Sequence, residues 1–185
     1  IMNIVLLGSG NIATHLGRVF NNAGHHIVQV YSKTLVNASA LANVLSSHPI
    51  DNLNLLDQEA DLYLLAVSDA AISRVAHSIP KNLKGIIAHC SGATDLEVLR
   101  DFKNYAVIYP IQSFSKSNKL DLSHTPFGIE ANSDTGVELL FELASQISDK
   151  VFPCDSKQRL AIHTSAVFAN NFSNALFQVS YDLLT

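Results

Sequence analysis

The sequence predicts an α/β fold in which most strands of one sheet run parallel. Through residue 110 of a 185-residue chain, short apolar runs alternate with stretches whose apolar residues recur three and four positions apart. A turn that contains Gly8 and Gly10 separates the first run from the first of these stretches. Alternating strands and helices need crossover connections, which place helices on both faces of a parallel sheet. The predicted architecture is therefore a doubly wound sheet.

The elements of this first part follow from the spacing of their apolar residues. Residues 3–7 form an apolar run that ends at a glycine, which is typical of a buried parallel strand. Residues 11–22 have helical periodicity, and Gly24 is placed to cap the end of that helix. Residues 48–58 fit either a weak third strand or an irregular link. The other predicted elements are strands at residues 26–31, 61–67, 85–89 and 105–109, and helices at residues 35–45, 69–78 and 95–102.

The composition changes after Pro110, where polar residues become frequent. The predicted elements are a long loop at residues 111–125, an edge strand at 126–131, an amphipathic helix at 135–147 and an extended piece at 151–154. Asp155 is placed to cap a helix that continues to the last residue, with no glycine, proline or cap at its end. We therefore expect an all-helical second domain that begins here and is incomplete. The predicted divisions are a sheet domain at residues 1–110, an α/β extension of it at 111–154, and the first helix of the second domain at 155–185.

The glycine turn fits the pattern G-x-G-x-x-G/A, placed after a strand and before a helix. Gly8 permits the tight turn, Gly10 lets the backbone approach a pyrophosphate, and Ala13 keeps the helix close to the sheet. The free N–H groups at the start of the helix suit phosphate oxygens. The pattern predicts a Rossmann-type dinucleotide-binding domain, and the alternative is a glycine turn without a ligand. The predicted cofactor-binding residues of this turn are Gly8, Ser9, Gly10, Asn11 and Ile12.

The end of the second strand favours NADP over NAD. An NAD-binding domain usually has an acidic residue there, about 20 residues after the glycine turn, which bonds the ribose 2′-hydroxyl. This sequence has Ser32 and Lys33 instead, and residues 1–50 contain no Asp or Glu. A hydroxyl and an ammonium group without a nearby carboxylate predict a pocket for the 2′-phosphate. The alternative is a solvated polar loop.

Further site residues are predicted where the later strands end, because ligands of open parallel sheets bind beyond the carboxyl ends of the strands. Val67 and Ser68 follow the fourth strand and are expected to pass under the dinucleotide. Ser91 and Gly92 follow the fifth strand and are expected to offer a hydroxyl and a backbone N–H to the substrate or to the nicotinamide. The segment from Tyr109 to Phe114, after the sixth strand, lies at the same edge.

Three further residues close to the ends of these strands allow more than one interpretation. His89 is either an acid–base group or a strand-end residue bonded to the backbone. Cys90 is better explained as a buried, unreactive thiol than as a nucleophile. Asp69 is better explained as the N-cap of the following helix than as a ligand-binding residue.

The last predicted helix combines apolar residues on nearly every side with three polar ones. His163, Asn170 and Asn174 fall along one stripe at 3.6 residues per turn. A helix with so many apolar residues is expected to be buried. Its His and Asn side chains then need hydrogen-bond partners, which are either a bound substrate or, alternatively, an internal polar network or a dimer seam.

Composition argues against several classes of protein. The formal net charge is −4 and no basic–aromatic stripe is present, so a nucleic-acid partner is not expected. No apolar run reaches the roughly 18 residues that span a bilayer, and a membrane partner is not expected either. The two cysteines have neither disulfide-framework nor metal-ligand spacing, so we predict a cytoplasmic protein without a metal site.

The motifs together resemble a bacterial Rossmann-like oxidoreductase family whose C-terminal half is a domain of unknown function. The resemblance is carried by the glycine turn, by Val67–Ser68–Asp69, by His89 to Gly92, by Tyr109 to Phe114 and by His163 to Asn174. The family is similar to deazaflavin-dependent NADP oxidoreductases and, more distantly, to pyrroline-5-carboxylate reductase and the β-hydroxyacid dehydrogenases. The resemblance implies an NADP domain followed by a helical domain of the 6-phosphogluconate dehydrogenase type, through which such proteins usually form homodimers.

Two functions follow from these predictions. The leading hypothesis is an NADP-dependent oxidoreductase that transfers hydride to or from a small polar substrate, with His163 as proton donor, Asn170 orienting it, and Ser91 and Gly92 positioning the substrate. The β-hydroxyacid dehydrogenases instead pair a lysine with an asparagine one helical turn later, and His163 and Asn170 are seven residues apart. The alternative is therefore a non-catalytic module that senses NADP(H).

Overall fold

The structure is a computed structural model that describes residues 1–115 and 121–184. Within these ranges, eight strands form one sheet. The strands are β1 (Asn3–Leu7), β2 (His26–Tyr31), β3 (His48–Ile50), β4 (Leu62–Leu65), β5 (Ile86–His89), β6 (Tyr105–Pro110), β7 (Phe127–Ala131) and β8 (Val151–Pro153). The helices are α1 (Asn11–Asn22), α2 (Leu35–Leu45), α3 (Asp69–Ser78), α4 (Asp134–Ser145), α5 (Ser156–Val167) and α6 (Ser173–Leu184).

The sheet has the strand order β3-β2-β1-β4-β5-β6-β7-β8. Every neighbouring pair is parallel except β6 and β7, which are antiparallel. The chain builds β2 and β3 on one side of β1 and then crosses to β4 on the other side, so the strand order changes direction at β1. A sheet of this kind opens a crevice between the carboxyl ends of the strands on either side of that point. The predicted doubly wound, mostly parallel fold is confirmed.

The central strands are buried on both faces, which explains their continuous apolar runs. Leu6 of β1 belongs to the same core cluster as Phe20 of α1. Leu7, the next residue, points to the opposite face and packs in the cluster that contains Ile72 of α3. All four side chains have no exposed surface. The end of β1 is therefore held rigidly, and the glycine turn that follows it starts from a fixed position.

The helix predicted at residues 95–102 is wrong in type and in length. A 3-10 helix covers only Leu96–Leu99, and a turn follows it. The buried apolar side chains of this segment are Leu96, Leu99 and Phe102, which recur every three residues. That spacing matches the three residues per turn of a 3-10 helix and does not match the 3.6 of an α-helix.

The weak third strand and the irregular link, which were alternatives for residues 48–58, are both present. The strand is β3, and the link contains the 3-10 helix Leu53–Leu55.

Two smaller predictions also need correction. The strand at residues 127–131 is not an edge strand, because β8 pairs with its outer side and becomes the edge. Asp69 is the first residue of α3, and Ser68 occupies the N-cap position. Of the predicted loop at residues 111–125, the parts at 111–115 and 121–125 contain no helix or strand, and residues 116–120 lie outside the described residues.

The last helix begins at its predicted cap and continues through residue 184; Thr185 lies outside the described residues. Asp155 Oδ1 accepts a hydrogen bond of 2.8 Å from the Gln158 backbone N–H, and the Gln158 side chain accepts one of 2.9 Å from the Asp155 N–H. This reciprocal capping box fixes where the helix starts. A π-helical turn, Phe168–Phe172, separates α5 from α6 without a break.

The expectation that this helix is buried is wrong for most of its length. Phe177 is 73% exposed, and other large apolar side chains beyond residue 167 are more than half exposed. The reason is that the described part of the chain places no other element over α6. The apolar residues left on the surface of the π-helical turn and α6 are Phe168, Phe172, Leu176, Phe177, Val179, Tyr181, Leu183 and Leu184.

Candidate cofactor and substrate site

The glycine turn places two glycines under different constraints. Gly8 has a φ angle of +131°, and a Cβ atom there would lie 2.4 Å from the carbonyl oxygen of Ala66. Only glycine fits this position, because L-residues avoid that conformation and the obstacle is backbone. Gly10 is the N-cap of α1 in an ordinary extended conformation, with φ of −79°. A Cβ atom at Gly10 would meet no atom of the described residues within 4 Å and would point into open space.

Two of the clefts that border this turn are also lined by Val67 and Ser68, which follow β4. The first, of about 320 Å³, lies between the end of β2 and the start of α3. The second, of about 340 Å³, lies between the start of α1 and the residues that follow β6. The cofactor-binding residues predicted from the sequence that line one or both clefts are Gly8, Ser9, Gly10, Asn11, Ile12, Ser32, Lys33, Val67 and Ser68.

The polar side chains of the turn hold neighbouring segments in place. The Ser9 hydroxyl donates to the Ser32 hydroxyl over 3.0 Å and so ties the turn to the end of β2. The Asn11 amide donates to the Phe114 carbonyl oxygen over 2.8 Å. Nε2 of His15 lies 2.8 Å from the Ser115 carbonyl oxygen. Residues 111–115 are therefore tied to the first turns of α1, beside the second cleft.

A third cleft, of about 440 Å³, lies between residues 109–113 and the last helix. His163 of α5 and Asn170 of the π-helical turn both line it. Nδ1 of His163 lies 3.0 Å from the Tyr109 hydroxyl, and the Asn170 amide donates to the Ser113 hydroxyl over 3.1 Å. Asn174 lies further along, its amide 3.5 Å from the Asn170 side-chain oxygen. Gln112 lines both this cleft and the one beside α1, so the two clefts meet at Gln112.

Ser91 and Gly92, which were predicted to contact the cofactor or the substrate, lie behind the third cleft and line none of the three clefts. The Ser91 hydroxyl accepts hydrogen bonds from the N–H groups of Ala93 and Thr94, at 3.1 and 2.9 Å. Gly92 packs directly against the His163 and Tyr109 side chains, where a Cβ atom would lie 2.6 Å from atoms of both. The loop after β5 therefore supports the acid–base candidate from behind.

Arg159 is the residue that sequence reasoning missed. Its side chain is 1% exposed and pairs with Glu130 of β7, the Nη2 to Oε2 distance being 2.8 Å. Nη1 donates to the carbonyl oxygens of Ser91 and Thr94, at 2.9 and 2.6 Å. The only signal in the sequence was its position one helical turn before His163, which puts both on the same side of α5.

The two residues before Ser91 are buried in the sheet. Nδ1 of His89 accepts a hydrogen bond of 3.1 Å from the Ser91 backbone N–H, and the side chain has no exposed surface. Burial and then the nearby Arg159 guanidinium lower the pKa of His89 to about 4. Of the two interpretations of His89, the structure thus shows the backbone-bonded one. Burial raises the pKa of the Cys90 thiol well above its usual range, as expected for an unreactive thiol.

Two kinds of feature are absent from the part of the chain that the structure describes. No group of three or more His, Cys, Asp or Glu side chains is arranged to hold a metal ion there. Among the described helices, none has both the length and the apolar character needed to cross a membrane.

The chain belongs to the Rossmann-like domain family, whose model matches residues 2–111. A second family model, described as a domain of unknown function (DUF2520), matches residues 125–185. No curated protein sequence matches the chain. The family resemblance predicted from the motifs is therefore confirmed for both parts of the chain.

Solved structures with the same fold include oxidoreductases. The "putative NADP oxidoreductase BF3122" from Bacteroides fragilis is 32% identical, with a TM-score of 0.88 over 99% of this chain and 72% of that one. Protein TM1727 from Thermotoga maritima is 26% identical, with a TM-score of 0.74 over 98% of this chain and 70% of that one. The 1-pyrroline-5-carboxylate reductase from Streptococcus pyogenes is 18% identical, with a TM-score of 0.73 over 98% and 70%, and shows the fold alone.

The low pKa of His89 predicts that the protein loses stability as the pH falls from about 6.5 to about 4. In that window the unfolded chain binds a proton on His89 that the folded chain does not, so unfolding becomes more favourable by up to about 3 kcal/mol. Above pH 6.5, His89 is neutral in both the folded and the unfolded chain, so no stability is lost through this residue. The measurement is the free energy of urea unfolding at pH 7 and pH 4.5.

The matched control is His89→Asn, whose side-chain oxygen can still accept from the Ser91 N–H but does not titrate. This variant should lose less stability between the two pH values than the wild type. Equal losses in both proteins would show that His89 does not carry the effect.

Proposed function

We propose that the protein is an NADP-dependent oxidoreductase that transfers hydride between the nicotinamide ring and a small polar substrate. One observation carries the dinucleotide part of this proposal. Within residues 1–115 and 121–184, no protein atom requires glycine at Gly10, since its backbone is in an allowed region and a Cβ atom would meet open space. A glycine there is explained by the close approach of a pyrophosphate to the N-terminus of α1.

The clefts suit the two halves of the cofactor. The cleft beside β2 would hold the adenosine half, with the Lys33 ammonium and the Ser32 hydroxyl near the 2′-phosphate. The cleft beside Asn11 and Ile12 would hold the nicotinamide half and leads at Gln112 into the third cleft. The printed description of the Bacteroides fragilis relative as an NADP oxidoreductase supports the same cofactor.

The third cleft supplies the groups for proton transfer. When bound, NADPH supplies the hydride at nicotinamide C4. His163 would donate a proton to the substrate, and Asn170 would orient the substrate with its amide. Ser91 and Gly92 line none of the three clefts, so in this proposal they position the substrate indirectly. The Ser91 hydroxyl holds its loop by accepting two backbone hydrogen bonds, and Gly92 packs against His163. The polar members of the described lining, Gln112, Ser113, His163, Asn170 and Asn171, would bind a small polar substrate. The rest of the lining includes the apolar side chains of Ile111, Ala166, Val167 and Ala169.

The exposed apolar surface of α6 supports a partner for the whole protein. We propose that a second copy of the chain covers this surface, because a helix with so many exposed aromatic and leucine side chains is unfavourable in water. The protein would then be a homodimer through its C-terminal helices. A cytoplasmic location and the division at residues 110 and 154 stay predictions from the sequence.

The first test compares substitutions at the two glycines. We expect Gly10→Ala to change the free energy of unfolding by less than about 1 kcal/mol, because Ala fits the conformation at some loss of N-cap preference. The same variant should lower NADPH affinity at least about tenfold, because the methyl group occupies the path of the pyrophosphate. Unfolding in urea and isothermal titration calorimetry measure the two quantities.

Gly8→Ala is the matched comparison and should lower both stability and affinity, because the new methyl group would clash with the Ala66 carbonyl. If Gly10→Ala binds NADPH as tightly as the wild type, the turn does not hold a dinucleotide.

The second test concerns the choice of cofactor. We expect the wild type to bind NADPH more tightly than NADH, and Lys33→Asp to lower NADPH affinity about tenfold or more, because a carboxylate then faces the 2′-phosphate. NADH affinity should change less than about threefold. The control is Lys84→Asp, a surface lysine at the opposite end of the sheet. A wild type that binds NADH as tightly as NADPH would contradict the phosphate pocket.

The third test concerns His163. We expect His163→Ala to bind NADPH like the wild type and to lower turnover by about 10²- to 10⁴-fold, the usual contribution of general acid–base catalysis. The measurement is NADPH consumption with a panel of small carbonyl and imine compounds. Unchanged turnover would remove His163 from the mechanism. A wild type that binds NADPH but consumes it with none of these compounds would instead support the sensor function.

A further inference from the structure

Tyr109 joins the sheet to the proposed proton donor. Its hydroxyl, at the carboxyl end of β6, lies 3.0 Å from Nδ1 of His163 on α5, which is 54 positions away in the chain. The two rings meet edge to face, with centroids 5.9 Å apart and planes at 69°. No hydrogen bond to Nε2 of His163 is present among the described residues, and Nε2 lies on the side of the imidazole ring away from Tyr109.

The position of Tyr109 is rigid. The side chain is 7% exposed and belongs to a core cluster with Leu96 and Val107, against which Ile162 of α5 also packs. Gly92 closes the third side, since a Cβ atom there would lie 2.6 Å from both Tyr109 Cζ and His163 Nδ1. The hydroxyl therefore cannot move away from the imidazole without rearranging three segments of the chain.

The Tyr109 hydroxyl can keep its contact in either protonation state of the imidazole. Burial raises the pKa of Tyr109; the Arg159 guanidinium lowers it, and Asp69 raises it. The phenol is therefore protonated at neutral pH. A neutral phenol donates to Nδ1 when that nitrogen carries no hydrogen and accepts from Nδ1–H when it does.

We propose that Tyr109 is a positioning residue that holds His163 with Nε2, rather than Nδ1, turned toward the cleft at Gln112 and Asn170. The inference rests on the proposed function, and it adds Tyr109, a residue that the proposed function does not include. In the reducing direction, the substrate carbon gains the hydride of NADPH and the electron pair of its C=O or C=N bond moves to the oxygen or nitrogen. That atom takes the Nε2 proton of the imidazolium, which leaves NADP⁺ and a neutral imidazole. The imidazole then takes up one H⁺ from the solvent, so each turnover consumes one proton.

The experiment uses the full chain with ¹⁵N-labelled histidine. The ¹⁵N shifts of Nδ1 and Nε2 report which nitrogen carries hydrogen, and the signals of His163 are assigned by their loss in His163→Ala. We expect the wild type to show a hydrogen-bonded Nδ1, and Tyr109→Phe to shift both signals toward those of the exposed His26. With a substrate from the panel, Tyr109→Phe should also lower kcat roughly 10- to 100-fold with little change in KM, as misplacement of a reacting group does.

The matched control is Tyr105→Phe. Tyr105 is at the other end of β6, and its hydroxyl donates a hydrogen bond to Glu97. This control should leave the His163 signals unchanged. If instead the loss of any hydroxyl from β6 shifted these signals, Tyr105→Phe would shift them too. If Tyr109→Phe binds NADPH and its His163 signals match those of the wild type, the positioning role is overturned while the proposed function stands. If the wild type binds no NADPH, the proposed function fails instead. If Tyr109→Phe does not fold, the wild type alone still tests the inference. Wild-type His163 signals that equal those of the exposed His26 would overturn it.

Discussion

One buried guanidinium determines how the last helix meets the sheet. Arg159 binds the Glu130 carboxylate and two carbonyl oxygens of the loop after β5 while almost wholly shielded from water. A buried ion pair adds little net stability, because removing both charges from water offsets their attraction. Its effect here is on orientation: the guanidinium donors find their partners only when α5, β7 and the loop at Ser91 to Thr94 occupy these positions together.

The candidate site inherits its geometry from that arrangement. His163 lies one helical turn after Arg159, so the ion pair that fixes α5 also fixes where the imidazole can reach. The same loop that surrounds the guanidinium presents Gly92 to the His163 and Tyr109 rings, and the Ser91 hydroxyl keeps the loop folded by accepting two N–H groups. The two clefts beside the glycine turn depend on a different constraint, the fixed end of β1 and the positive φ angle of Gly8.

Sequence reasoning succeeded where local pattern and final environment agree. The strands β1 and β2 and the helices α1 and α2 have the predicted bounds, because the local pattern of each agrees with its burial: the apolar run of β1 is buried on both faces, and each helix buries one apolar face. It failed where the surroundings of a segment are formed by residues far away in the sequence. The segment at Leu96 to Phe102 folds as a 3-10 helix because its core contacts recur every three residues, and the strand at residues 127–131 becomes interior because β8 adds beside it. The helix expected to be buried is exposed because no described element packs over α6.

The sequence by itself determined the doubly wound fold, through the alternation of strands and helices up to residue 110, and the glycine turn, which lies within one strand–turn–helix unit. It also indicated the polar groups at Ser32, Lys33, His163 and Asn170. Only the tertiary structure decided that Arg159 pairs with Glu130 across 29 positions and that Tyr109 meets His163 across 54. Contacts between residues so far apart leave no periodicity in the sequence, because each partner is chosen by how sheet, loop and helix pack together rather than by its neighbours along the chain.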